Sequence, residues 1–313
     1  MGKLLIAGVG GNLGKEAARI LLTLEDKSNL IFCATSEETL KPYADMGIET
    51  HVINFIRPDG KLEEAFKNAE VAGIISMPFV GKKRENAHKN ALDAAKKAGV
   101  KKIVYTSLCN ASDESNPCVE RYDHIYTENY IKELGFDYIF LRNSQFAEAM
   151  VTNYFFFASQ KAPLSNSMGY GHMAHVSRKD CAKALAFALH RHTEYDHATL
   201  DINGKEPLTI AEFVAIGDKE TGHTTGYNEI SDEENYKIFD GMGIPRTAAE
   251  IKEGSGPAFA SDCMITFNQA IREEKFNVCS DDFKKLTGDD PISVNYMFAH
   301  PDEFQIGDHH ITN

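Results

Sequence analysis

No stretch of the 313-residue chain approaches the roughly 20 consecutive apolar residues that a bilayer-spanning helix requires, which argues against a membrane protein. Positive charge is also scarce. Lysine and arginine number 33 against 46 aspartates and glutamates, and the net charge of −13 opposes attachment to nucleic acid, whose phosphates demand clustered basic side chains. The basic runs that exist, Lys82-Lys83-Arg84 and Lys96-Lys97 with Lys101-Lys102, are short enough to read as solvated helix faces. Cysteines stand at 33, 109, 118, 181, 263 and 279 with no CxxC spacing, which fits reduced thiols rather than a disulfide framework or a zinc site. His190, His192 and His197 lack an i, i+4 pair and a carboxylate pattern, so no metal is expected. The first residues carry no basic leader with an apolar core and a small-residue cleavage site, and the expected compartment is cytoplasmic.

What the chain does have begins at once. Lys3-Leu4-Leu5-Ile6-Ala7 is an apolar strand that runs into Gly8-Val9-Gly10-Gly11-Asn12-Leu13-Gly14 and then into a helical pattern. Glycines at 8, 11 and 14, with an extra one at 10, permit positive φ and let backbone N–H groups approach a pyrophosphate at the positive end of the following helix. This is the opening of a dinucleotide-binding βαβ unit, and it implies a cofactor before any catalyst.

Helix and strand then alternate. Strands are predicted over 30–35, 49–53, 71–76, 102–106 and 137–141, with helices over 15–24, 38–46, 62–67, 84–98 and 122–134 between them. This rhythm predicts a Rossmann-like, doubly wound parallel sheet of the α/β class, whose ligands sit beyond the carboxyl ends of the strands. After Asn143 the character changes. An aromatic segment, 147–157, is followed by a Gly- and His-bearing stretch over 165–175, a helix over 180–190, a strand over 199–202, and a helix to Thr221 capped by Thr209. Beyond Glu229 acidic helices alternate with Gly and Pro turns. The expected division is a dinucleotide-binding lobe from 1–150 and about 176–205, a smaller, mostly helical substrate lobe from about 151–175 and 206–300, and a polar tail over 301–313 containing His309 and His310.

The order of these motifs resembles the NmrA-like branch of the atypical short-chain dehydrogenase/reductases, and within it the bacterial NAD(P)H:quinone oxidoreductase type. The pieces are the GxxGxxG turn, Asn90 to Val100, Tyr105-Thr106-Ser107-Leu108, His124 with Thr127-Glu128, Leu141-Arg142-Asn143, Val176 to Ala182, and Leu208-Thr209. The resemblance implies that Gly8, Gly10, Gly11, Asn12, Leu13 and Gly14 hold a pyrophosphate, that Met77, Pro78 and Phe79 line the ribose and adenine side, and that Thr106, Ser107, Leu108, Asn143, Ser144, Gln145 and Phe146 flank a nicotinamide. It also implies two-electron reduction of quinone-like acceptors.

Two departures matter. Ordinary short-chain dehydrogenases protonate a reduced carbonyl with a YxxxK tyrosine, but the matching positions here are Ile125 and Asn129; Tyr126 is displaced about 100° around the helix and its i+4 partner is Tyr130. Quinones and enones place less demand on an enzymic acid, because hydride addition yields a delocalised oxyanion that hydrogen bonds stabilise. Thr35-Ser36-Glu37 offers a carboxylate and no arginine at the adenosine ribose, which favours NAD over NADP. The candidate catalytic residues are Ser107, His124 and Tyr126; His172 and His175, in the loop before the chain re-enters the sheet, are cleft candidates weighed against a structural role. The expected partner is a small conjugated molecule, a quinone or an enone such as a flavonoid-type phenolic, and a homodimer is compatible with the chain. The other class of function is a non-catalytic NmrA-like sensor that binds dinucleotide and contacts a transcription factor.

Overall fold

The structure, a computed structural model, describes residues 2–57, 60–251 and 259–306. Strand β1 (Lys3–Ala7) feeds α1 (Asn12–Leu24), and the alternation continues through β2 (Leu30–Ala34), α2 (Glu37–Asp45), β3 (Glu49–Val52), α3 (Lys61–Phe66), β4 (Ala69–Ile74), α4 (Lys82–Ala98), β5 (Lys102–Leu108), α5 (Glu120–Glu133) and β6 (Asp137–Asn143). Next come α6 (Ala147–Ser159), the short strands β7 (Leu164–Asn166) and β8 (His172–Met173), α7 (Arg178–His190) and β9 (Ala198–Ile202). The chain then forms β10 (Leu208–Thr209), α8 (Ile210–Thr221), β11 (Tyr227–Glu229), α9 (Asp232–Gly241), α10 (Ser261–Arg272), α11 (Asp282–Thr287) and α12 (Val294–Ala299).

Seven strands pair in parallel in the order β3-β2-β1-β4-β5-β6-β9. The order reverses between β1 and β4, the switch point beyond which ligands of such sheets bind. Strands β2 and β5 are buried along their whole length, as expected where helices cover both faces. One face packs against α1, α2, α7 and α11 through residues such as Ala18, Leu21, Leu185 and Phe283. The other packs against α3, α4 and α5 through Phe66, Ala91, Leu92 and Ile131.

A third core lies beyond the carboxyl ends of β5 and β6. It joins Leu108, Cys109, Ala147 and Met150 to Tyr154, Phe213, Ile271 and Phe298. Four of its elements, β7, β8, β10 and β11, were not expected, since strands of two or three residues are too short to show a period in sequence. They pair locally, β8 with β10 antiparallel and β7 with β11 parallel. Phe304 is fully buried in this core, so the packed chain extends past 301 and the expected tail does not begin there. His309 and His310 lie outside the described residues.

The last sheet strand is covered at its outer edge. The N–H of Asp201 in β9 donates to Asp282 Oδ2 at 3.0 Å, and its carbonyl accepts from Ser280 Oγ at 2.9 Å. Packing is close at the first turn, where a Cβ on Gly14 would lie 2.0 Å from the Gly8 carbonyl oxygen. Because the obstruction is backbone, Gly14→Ala should lower unfolding free energy by about 1–3 kcal/mol; an unchanged urea midpoint would mean that the turn relaxes freely.

Candidate functional site

The glycine turn is pinned from behind. Gly8 adopts φ +107°, and the N–H groups of Gly8 and Val9 both donate to the Cys33 carbonyl at the end of β2, at 2.8 and 3.0 Å. Gly11 is the extended N-cap of α1 with no side-chain cap, and no acidic residue follows in the first turn. The leading N–H groups of α1 therefore face outward as an uncompensated positive end. Gly10 serves packing, since a Cβ there would meet Thr39 Cγ2 at 3.3 Å.

Beside this turn, Thr35 and Glu37 are exposed and Ser36 caps α2 by accepting from the Thr39 N–H. Lys41 is tied back to Asp45 at 2.8 Å, so the turn presents the carboxylates of Glu37 and Glu38. The same helix face and Thr50, His51 and Val52 line an open cavity of about 660 Å³ at the outer edge of the sheet.

Across the switch point, the segment after β4 is fixed by buried polar groups. Ser76 N–H donates to Thr106 Oγ1 at 2.8 Å, and Met77 N–H donates to His88 Nε2 at 3.1 Å. Arg84, only 5% exposed, donates from Nε to the carbonyls of Met77 and Phe79. Asp123 accepts from Gly81 N–H at 2.7 Å and lies 3.6 Å from the Arg84 guanidinium. Since Met77 occupies His88 Nε2 as a donor, the proton of His88 sits on Nδ1 and goes to Thr127 Oγ1, whose own hydroxyl donates to the Asp123 carbonyl. Burial pushes His88 down to about 3.

His124 belongs to this network. It is buried; its Nε2 accepts from Arg84 at 3.3 Å and its Nδ1 lies 3.0 Å from the Tyr105 hydroxyl. Burial first, then the Arg84 charge, holds it well below its ordinary value, so it is a neutral strut. Tyr126 points elsewhere. The buried side of α5 carries Arg121, His124, Thr127, Glu128 and Ile131, which turns Tyr126 toward α4, with Lys82 5.8 Å from its ring and Tyr130 stacked at 6.1 Å. Neither residue joins Ser107.

Ser107 instead donates its hydroxyl proton to Glu128 at 2.7 Å, and Glu128, with no exposed surface, receives two bonds from Arg142 at 2.9 and 2.7 Å. With that proton committed, Ser107 can only accept from a ligand, which rules it out as the acid. Breaking the Glu128–Arg142 pair from one side would strand a buried charge at a cost of about 3–5 kcal/mol. Thr127 and Glu128 are visible in sequence, but nothing local marks Glu128 as the partner of Ser107 and Arg142, which lie on two different strands.

The end of β6 carries unspent polar atoms. Asn143 Oδ1, Ser144 Oγ, Gln145 Oε1 and Glu148 Oε2 are buried without a partner, as are both ring nitrogens of His175. Leu108 stands opposite Asn143 in the sheet register, and Phe146 is bridged to Val176. Phe146 packs toward the α1 and α7 side with the Arg178 guanidinium over its ring, whereas His175 stacks obliquely on Phe213 of α8 at 4.5 Å. His172 is half-buried and paired with Glu274. In the aromatic run Tyr154 is buried and bonded to Asp218, while Phe156 is 57% exposed. Among the described residues the grouping with metal-ligand proximity is Asp137, Asp196 and His197, at the opposite, amino-terminal edge of the sheet.

Residues 1–253 match the NmrA-like family. Quinone oxidoreductase 2 of Escherichia coli strain K12 is 27% identical over 251 residues, covering 79% of this chain and 84% of that protein. The NmrA-like family domain-containing oxidoreductase of Aspergillus flavus is 24% identical over 237 residues, 74% of this chain and 75% of that one. Among solved structures, an Escherichia coli NADPH-dependent quinone oxidoreductase complexed with NADPH superposes with a TM-score of 0.84 at 23% identity, over 95% of this chain and 99% of that one. The Citrobacter sp. triphenylmethane reductase complexed with NADP(H) gives 0.79 at 23% identity, over 96% and 99%.

The unpartnered ring of His175 has a thermodynamic consequence. Burial holds it down to about 4, and the backbone at Met173 offsets this only in part. In the unfolded chain the same ring takes up a proton near its ordinary value of about 6.5. Below that value the unfolded state binds more protons, so this residue's contribution to stability is complete above about pH 6.5 and is lost as pH falls toward about 4. His175→Phe removes the linkage, and its unfolding free energy should gain on wild type by up to about 1.4 kcal/mol per pH unit across that window. Parallel denaturation profiles would show the ring to be satisfied.

Proposed function

The chain belongs to the NmrA-like family, and from that membership we propose that it is an NAD(P)H-dependent reductase delivering hydride to a flat conjugated acceptor, a quinone or an enone. The observation that carries the reading is the uncapped, acid-free amino end of α1 facing the switch point between β1 and β4. The residues fit a dinucleotide. Gly14 admits the close turn, Gly11 leaves space beside the helix end, and Asn143 and Ser144 hold unspent polar atoms at the end of β6 for a carboxamide. When bound, a reduced nicotinamide supplies the hydride.

The chain's own groups do the rest. Met77 to Phe79 form a wall fixed by Arg84 and His88. Ser107, its proton spent on Glu128, accepts from an N–H of the carboxamide. With no tyrosine–lysine pair and with His124 and Tyr126 turned away, the site offers little acid for making an alcohol from a ketone, and an acceptor whose anion is delocalised suits it better. The quinone oxidoreductase of Escherichia coli supports a quinone; a flavonoid-type enone has the same electronic demand.

The related structures are named for NADPH or NADP(H), which does not support a preference for NADH. Locally, however, Glu37 and Glu38 present carboxylates where the family resemblance puts the adenosine ribose, which supports use of NADH as well. Glu37→Arg should raise the NADPH-to-NADH ratio of kcat/KM roughly tenfold, about 1.4 kcal/mol; a ratio that stays put would show that the residue points away from the ribose.

Two measurements test the reading itself. Gly11→Asp should keep or slightly raise stability, because Asp is a good N-cap. It should weaken dinucleotide affinity in calorimetry by about 100-fold, or 2.7 kcal/mol; unaltered affinity would place the phosphates elsewhere. Oxidation of NADH and NADPH, followed by absorbance against quinones, enones and flavanones, separates a reductase from a dinucleotide-binding sensor. Binding without turnover of any acceptor favours the sensor.

A further inference from the structure

Among the unpartnered buried atoms at the end of β6, His175 is not accounted for by dinucleotide binding. It precedes Val176, which is bridged in parallel to Phe146: Val176 N–H donates to the Gln145 carbonyl at 3.1 Å, and Ala147 N–H donates to the Val176 carbonyl at 2.8 Å. Phe146 and Val176 turn toward the α1 and α7 side. Side chains alternate along extended backbone, so Gln145 and His175 turn together to the opposite side, toward the third core. There the His175 ring meets Phe213, and Gln145 Oε1, carried to the same side by the alternation, is likewise without a partner. The backbone behind the ring has no room to retreat, since Gly204 packs so closely that a Cβ there would lie 1.9 Å from the His175 carbonyl oxygen.

A ring that is 2% exposed and makes no hydrogen bond loses water's bonds with nothing in exchange, a cost of about 1–3 kcal/mol per polar group. A phenylalanine would fill the same space against Phe213 without that loss. The imidazole therefore points to a ligand that completes it. A neutral imidazole has one N–H donor and one acceptor nitrogen, and Gln145 adds an amide, a set suited to a planar molecule carrying oxygen at its edge.

We propose that His175 is a catalytic residue that donates a hydrogen bond from its ring N–H to the acceptor's carbonyl oxygen, with Phe213 stacking alongside and Gln145 as the second polar contact. This rests on the reductase reading above. Hydride addition to one end of a conjugated carbonyl system moves an electron pair onto that oxygen; the N–H stabilises the resulting anion, and solvent supplies the proton that completes the reduction. A neutral donor suits this task because it holds developing charge without itself giving up a proton.

The test compares wild type with His175→Phe and His175→Gln, using benzoquinone as acceptor and a non-reducible hydroquinone as the ligand probe. His175→Phe should lose about 100-fold in kcat, keep its NADH affinity and show no fall in melting temperature, while His175→Gln recovers part of the rate. In the ¹⁵N-histidine spectrum of wild type with oxidised dinucleotide, the hydroquinone should shift a His175 ring resonance. An unchanged kcat in a folded His175→Phe, or a His175 resonance unmoved by the hydroquinone, overturns the proposal while leaving the reductase reading intact. Absence of turnover by wild type with every acceptor overturns both.

Discussion

The contact on which the rest depends is the approach of the Gly8 carbonyl to the bare Cα of Gly14. It draws the end of β1 against the first turn of α1, and the bonds from Gly8 and Val9 to Cys33 prevent the turn from opening away from β2. A helix end held this way cannot be capped by its own side chains, because none is present. Its positive field remains available at the point where the strand order reverses. Any side chain larger than hydrogen at that contact would push helix and sheet apart, and with them the alignment of everything seated above the strand ends.

Around that point the polar residues divide by whether their hydrogen bonds are already spent. Arg84, His88, His124, Asp123 and Thr127 are saturated with one another and with the 77–81 backbone, and their contribution is stiffness. Ser107 is half spent, its proton given to Glu128 and its lone pairs left over. Asn143, Ser144, Gln145 and His175 are unspent. Buried polar groups normally find partners, so a local concentration of exceptions is a description of what is absent.

Much of this architecture could be anticipated from residues alone. The glycine turn was legible because it combines a strand, a fixed glycine spacing and a helix; most of the six strands up to Asn143 appeared as apolar runs bounded by turn residues, and the polar β3 was marked by its place in the alternation after Gly47. The short strands around the third core were not legible, since Leu164–Asn166 and His172–Met173 take their conformation from partners 35 or more positions later or from packing. Site residues were harder. Ser107, His124 and Tyr126 look equivalent on paper, and only the rotation of α5 separates a half-committed hydroxyl, a neutral strut and a ring against α4. Glu128 gave no sign of its role because its partners come from two strands, and His175 was recognisable as a candidate without any indication that its ring would be left alone.

The treatment of β9 bears on how copies of this chain meet. By answering both the N–H and the carbonyl of Asp201 with side chains, Ser280 and Asp282 act as a counterfeit eighth strand, and α11 lies over that flank. The central sheet is therefore closed to extension on one side. Strand-to-strand joining of that sheet is left to β3, where Glu49 and His51 already engage each other at 3.0 Å and the ribbon is only four residues long. A flank that short and charged is a poor template for stacking, so the fold protects itself from fibrous growth at both margins by different means.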